Sequence, residues 1–154
     1  MQAETRSHPR FNHVALTVPA DLLDARGRDE ILRFHGEVFG WTEMPTLTRD
    51  RELLVLRAWS HEQFVFLAAS GTPLRGDGSE HFGLSVATRG ELDAMWERAA
   101  KLAAADPRVD LTERKSDDYK VLQLHSFYVR FLLPVRVEVQ CYEWAPGFDD
   151  QRMG

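Results

Sequence analysis

The chain carries one short pattern twice. Asn12-His13-Val14-Ala15-Leu16-Thr17-Val18 is matched further on by Glu80-His81-Phe82-Gly83-Leu84-Ser85-Val86. Each copy sets a histidine second and then alternates bulky apolar with small side chains. Successive side chains of a strand point to opposite faces. Val14, Leu16 and Val18 therefore share one face, and His13, Ala15 and Thr17 the other. Phe82, Leu84 and Val86 likewise oppose His81, Gly83 and Ser85. Each strand buries its bulky face and lines an open space with a histidine flanked by small residues. A chain of 154 residues holds such a unit only twice, as one domain or two modules sharing a core.

The segments after each copy follow the same plan. Arg28 to Gly40 sets Ile31, Leu32, Phe34, Val38 and Phe39 at helical spacing, with Gly40 as the stop. Leu53–Trp59 and Gln63–Ala69 read as strands around a Ser-His-Glu turn. Residues 71–79, with Pro73 and three glycines, form the linker. In the second half, Thr88-Arg89-Gly90-Glu91 is a capping box for a helix striped by Leu92, Met95, Trp96, Ala99 and Leu102. Asp106-Pro107 ends that helix. Val109–Arg114, Lys120–Phe131 and Val135–Trp144 supply three strands. The expected fold is α+β: two repeated modules, 11–70 and 80–144, forming a curved eight-stranded trough with helices outside. His13 and His81 then face each other across it.

In the last strand Val135, Val137, Val139 and Cys141 alternate with Arg136, Glu138, Gln140 and Tyr142. If the polar face lines the trough, Glu138 joins the two histidines. Two neutral imidazoles and a carboxylate form a facial triad that suits iron(II) or manganese(II), with zinc or nickel as alternatives, and leaves positions open for substrate. His35 and His61 are expected to face solvent, and Cys141 to be a core residue.

A formal charge of −5 and a pI near 5.7 argue against a nucleic-acid partner. No apolar run approaches the roughly 18 residues that span a bilayer. Met1 to Arg10 is polar and lacks the apolar stretch of a secretory signal. A lone cysteine excludes an intrachain disulfide. The expectation is a cytoplasmic protein acting on a small molecule.

From Phe11 to about Trp144 the chain resembles the vicinal oxygen chelate superfamily, which includes glyoxalase I, fosfomycin- and bleomycin-resistance proteins and type I extradiol dioxygenases. The resemblance rests on the His13 and His81 strands, the Phe34–Trp41 helix end and the closing Val137-Glu138-Val139. It implies one divalent metal held by His13, His81 and Glu138, and often a homodimer, some members exchanging modules between chains. Glyoxalases and epimerases add a fourth ligand from the last strand of the first module. Aligning that strand on Glu138 puts Phe66 in the slot, with Gln63 as the one polar candidate nearby. A three-ligand site points to dioxygenases or the fosfomycin group.

Ser126-Phe127-Tyr128-Val129 looks like the strand before the carboxylate ligand in extradiol dioxygenases, where the matching tyrosine bonds the substrate. Tyr128 is thus the catalytic candidate, with Arg130, Arg136 and Gln140 as substrate contacts. The chain departs from that pattern in two places. Phe131-Leu132-Leu133-Pro134-Val135-Arg136 replaces the usual turn, and Tyr119 stands where a second-sphere histidine is expected. His125 lies near but on the core-facing parity. The resemblance implies an extradiol-type dioxygenase acting on a catechol-like molecule. The alternatives are a non-oxidative isomerase, lyase or thiol transferase, and a metal-free drug-binding protein. On the middle strands Leu54 or Val55, Trp59, Phe64, Leu122 and Leu124 are the candidate trough lining.

Overall fold

Bulky apolar side chains on alternate positions of β1 (His13–Val18) commit one face of that strand to a core. Leu16 and Val18 are buried there while His13 and Ala15 stay exposed. The computed structural model describes residues 9–148, so most of the polar N-terminal segment lies outside the described residues. After β1 come a short 3-10 turn (Ala20–Leu23), α1 (Ala25–Phe39), β2 (Thr42–Glu43), β3 (Leu53–Arg57) and β4 (Phe64–Ala69). The second half runs β5 (His81–Val86), α2 (Arg89–Ala105), β6 (Asp110–Leu111), β7 (Lys115–Asp118), β8 (Leu122–Arg130) and β9 (Arg136–Trp144).

The strands form two sheets. One has the order β1-β4-β3-β2; the other has β5-β9-β8-β6, with β7 also paired to β8. The repeat is preserved in the pairing, since β1 runs parallel to β4 and β5 parallel to β9. The fold is α+β as expected, but β1 and β5 each end their own sheet and do not pair with each other. The two modules thus form two separately hydrogen-bonded sheets.

Helix α1 begins three residues before the expected start. Asp24 caps it, accepting from Gly27 N at 2.8 Å, and Gly40 ends it in the left-handed region at φ 75°. Its first turn carries no large apolar residue to mark it. Gly27 is required by close approach, since a Cβ there would lie 2.2 Å from Leu22 O. The capping box at Thr88 and Glu91 is present on α2. β7 has no counterpart among the expected strands, because Lys-Ser-Asp-Asp has no apolar alternation; it is a polar, mostly exposed strand at the edge of its sheet.

One core unites the halves. Ile31, Phe34 and Val38 of α1, Leu92 and Ala99 of α2, and the bulky faces of both sheets belong to one buried cluster. Phe34 stacks on Phe131 at 4.6 Å, and Arg98 of α2 donates twice to Val38 O at the end of α1. Both helices therefore lie on the side of the sheets opposite His13 and His81. A second, smaller cluster of Met44, Leu53 and Val55, with Phe64 and Phe66, covers the His13 face of the first sheet.

His35 corrects an expectation. It is not solvent-facing but 1% exposed, stacked on Trp41, with Nδ1 donating to Ile31 O at 2.7 Å. Burial pushes its pKa down to about 4, so the ring is neutral at pH 7. His61 is exposed and Cys141 buried, as expected.

Candidate functional site

The polar face of the second sheet places its side chains in rows. His81 lies opposite Arg136, Gly83 opposite Glu138 and Ser85 opposite Gln140. On the other side of β9, Tyr128 faces Glu138 and Ser126 faces Gln140. Strand parity alone therefore gathers a histidine, a carboxylate, a phenol, an amide and a serine around the small slot left by Gly83. A Cβ added at Gly83 would touch only Gln140 Oε1, at 3.8 Å.

His81 Nε2 stands 3.3 Å from Glu138 Oε2. On the other side of the ring, Nδ1 lies 2.8 Å from Ser79 O. A carbonyl oxygen only accepts, so Nδ1 carries a proton and Nε2 is the ring nitrogen turned towards the carboxylate. A ring nitrogen and a carboxylate oxygen at this distance need a proton or a metal ion between them. The Glu138 side chain is almost fully buried, which sharpens that requirement. The donor set therefore fits a divalent cation, with Nδ1 fixed as metal-binding histidines usually are.

Tyr128 completes the group. Its ring meets His81 edge-on at 5.2 Å, and its hydroxyl donates to Glu138. Burial first, and then the Glu138 bond and charge, push the phenol above its ordinary pKa, so it remains a donor at neutral pH. Ser126 is fully buried, and its Oγ has no hydrogen-bond partner among the described residues. Such a buried orphan is a position for a ligand atom or a water. Gln140 accepts from the Tyr142 hydroxyl at 2.5 Å.

His13 is not in this group. Its Nδ1 lies 2.8 Å from Asn12 Oδ1, and its ring stacks on Phe64 at 4.8 Å. Among the described residues no three His, Cys, Asp or Glu side chains come together to hold a metal ion. The chain thus brings together two of the three predicted ligands. The reason is the core: α1 and α2 pack together, and β1 and β5 end separate sheets.

The remaining candidates separate clearly. Phe66 faces Ala15, as Glu138 faces Gly83, so the fourth-ligand slot of the first sheet is phenylalanine. Gln63, adjacent to Phe64 and on the opposite parity, takes the Ser60 hydroxyl bond instead. Arg130 and Arg136 both reach Asp110, an acid that carried no signal in the sequence. His125 is buried on the helix side, between Arg89, Ser116 and Glu143. Val55 rather than Leu54 lies on the His13 face, and Trp59 is largely exposed. An apolar groove of about 1100 Å³ opens between the halves, lined by Trp41, Trp59, Met95 and Trp144 among others. None of His13, His81 or Glu138 contributes to it.

Solved structures match almost the whole chain. Lactoylglutathione lyase from Agrobacterium tumefaciens is 18% identical, with a TM-score of 0.60 over 88% of this chain and 96% of that one. A glyoxalase/bleomycin resistance protein/dioxygenase from Nocardioides is 16% identical, with a TM-score of 0.56 over 94% and 89%. This is the vicinal oxygen chelate fold. A fosfomycin resistance protein with that fold, FosX from Listeria monocytogenes, was solved with Mn(II) and dihydroxypropylphosphonic acid. It is 14% identical, with a TM-score of 0.61 over 96% and 98%. No protein-family model matches the sequence, and no curated protein matches it. The likeness to proteins of the vicinal oxygen chelate fold is therefore one of architecture, and the chemistry must be read from the side chains.

Proposed function

We propose that this chain is a metal-dependent enzyme of the vicinal oxygen chelate type, in which His13, His81 and Glu138 hold one divalent cation. The observation carrying the reading is the facing pair of His81 Nε2 and Glu138 Oε2 at 3.3 Å. Manganese(II) and iron(II) suit two imidazoles and a carboxylate, with zinc or nickel as alternatives.

A second copy of the chain supplies His13. Both β1 and β5 are unpaired sheet edges, and the helix-side core of one chain keeps its own His13 out of the group. Setting β1 of one copy beside β5 of the other joins two module faces into the trough. Two-fold symmetry then makes two such sites per dimer.

The bound cation would accept two adjacent substrate oxygens and stabilise negative charge developing on them. Tyr128 holds Glu138 in one orientation and stands beside the substrate as a neutral donor. Ser126 Oγ offers a further hydrogen bond, and Gln140 lies opposite it. The gap left by Gly83 gives the substrate access to the carboxylate's side of the sheet.

Lyase, isomerase or nucleophile-addition chemistry needs no more than this set. Ring cleavage of a catechol-like substrate with iron(II) is a narrower form of the same reading, and Tyr128 opposite Glu138 favours it. Against it, Tyr119 is exposed and His125 is turned to the helix side, so neither offers a second-sphere group on the Glu138 face.

Elemental analysis after incubation with Mn(II) and desalting tests the reading. One metal per chain is expected for the native protein, and under a tenth of that for Glu138→Gln. A native protein that retains no metal would remove the proposal. Oxygen uptake by the iron(II) form separates ring cleavage from the non-oxidative reactions.

A further inference from the structure

The row that contains His81 continues across the sheet into a charged group the metal does not need. Arg136 lies opposite His81 on β9, and Arg130 is two residues beyond Tyr128 on β8. Asp110 of β6 stands opposite Arg130. Arg136 donates to Asp110 Oδ2 through Nε at 3.1 Å and Nη2 at 2.9 Å. Arg130 Nη2 lies 3.4 Å from the same oxygen. One carboxylate oxygen thus serves two guanidiniums, leaving one positive charge in surplus. All three side chains are about one-third exposed.

Two cations held against one anion repel each other more than a single ion pair requires. A guanidinium also presents five donors in a fork that matches an oxyanion, and here several of those donors point at no acceptor within the cluster. The arrangement sits on the Glu138 face, one residue pair from the proposed cation, and is open to solvent. It is a pre-assembled anion subsite in which Asp110 occupies the place of the ligand.

We propose that Arg130 and Arg136 bind an acidic oxyanion group of the substrate, and that Asp110 is its resident competitor. This rests on the reading of the site given above and names the substrate class: a small molecule with adjacent oxygens for the cation and a carboxylate, phosphonate or phosphate a few bonds away. Asp110 holds the two arginines apart from Glu138 in the free protein and yields part of its contact when the acid arrives.

Titration calorimetry with inorganic phosphate, methylphosphonate and acetate, each with and without Mn(II), tests this on the whole protein. At least one of the three is expected to bind with Kd on the order of 1 mM, and the tightest identifies the acid group. Arg136→Gln is expected to weaken it about tenfold, as loss of a charge-assisted pair does. Asp110→Asn is expected to tighten it about threefold, because the competing charge is gone. A merely structural ion pair predicts the opposite, since the asparagine would loosen both arginines. Arg33→Gln, exposed on α1, should leave the affinity unchanged. Arg130→Gln gives a second reading should Arg136→Gln not fold.

The proposal is overturned if none of the three anions binds, or if Asp110→Asn binds them more weakly than the native protein. Manganese stoichiometry measured on the same Arg130→Gln and Asp110→Asn samples keeps the two readings apart. Intact metal with no anion binding removes only the subsite, whereas anion binding without metal removes only the cation.

Discussion

Phe66 holds in the first sheet the register position that Glu138 holds in the second. Each lies opposite the residue two places after a histidine: Ala15 after His13, and Gly83 after His81. The repeat therefore offers one ligand position on the last strand of each half and fills that of the first with a phenyl ring. Phe66 packs with Val55 and Leu53 in the small cluster on that face.

Replacing Phe66 by Glu should convert three protein ligands to four. We expect Mn(II) to bind about tenfold tighter, at some cost in thermal stability from the lost apolar contact. Competition against a metal-sensitive dye reads the affinity. An unchanged affinity would mean that the first sheet does not face the cation.

Tyr128 offers a spectroscopic check. Burial and the Glu138 carboxylate hold its phenol above the usual value near 10. A cation bound to Glu138 screens that charge and weakens the hydrogen bond to it, so the phenol should become more acidic with metal present. Difference absorbance titration of native protein against Tyr128→Phe isolates the step. A Tyr128 transition at the same pH with and without Mn(II) would place the cation elsewhere.

His35 predicts an acid sensitivity of the fold. Its folded pKa is depressed to about 4 from an ordinary 6.5, mainly by burial. Between those values the unfolded chain binds the proton and the folded chain does not, so stability falls as pH drops below about 6.5 and stops falling near 4. The shift corresponds to about 3 kcal/mol at full extent. Urea midpoints at pH 7 and pH 5 should fall further apart for the native protein than for His35→Phe. Equal losses would show that other groups carry the acid response.

Much of this architecture was legible from alternation alone. The His13 and His81 strands, the α2 capping box and the burial of Cys141 all followed from periods of two or from local capping chemistry. What escaped had no such signal. β7 is a polar edge strand, β2 has two residues, and His35 lies in an amphipathic helix whose apolar stripe is wide enough to include it. Parity told which face His13 occupies but not which way the halves turn. That depends on α1 meeting α2 and on Phe34 meeting Phe131, contacts between residues far apart in the chain. For the same reason Asp110 carries no signal in the sequence, since only the β6–β8 pairing brings it to Arg130.

The start of α1 should be intolerant of side chains. Gly27→Ala would force a Cβ to within 2.2 Å of Leu22 O, and the backbone on one side must move. We expect a loss of about 2–3 kcal/mol, at the upper end for overpacking. Gly90→Ala is the control, where the nearest atom to a new Cβ is Thr88 Oγ1 at 4.0 Å. Similar melting temperatures for the two variants would contradict the close approach.

The shared cation is tested most directly by mixing two defective chains. His13→Ala and Glu138→Gln variants, each unable to retain Mn(II) alone, are unfolded together, refolded as a mixture and separated by distinct affinity tags. In the mixed dimer one site combines both defects, and the other combines the native His13 of one chain with the native His81 and Glu138 of its partner. The account predicts one Mn(II) per mixed dimer, regained from none. Mixed dimers that hold no metal, while the native protein holds one per chain, would contradict a site divided between two copies.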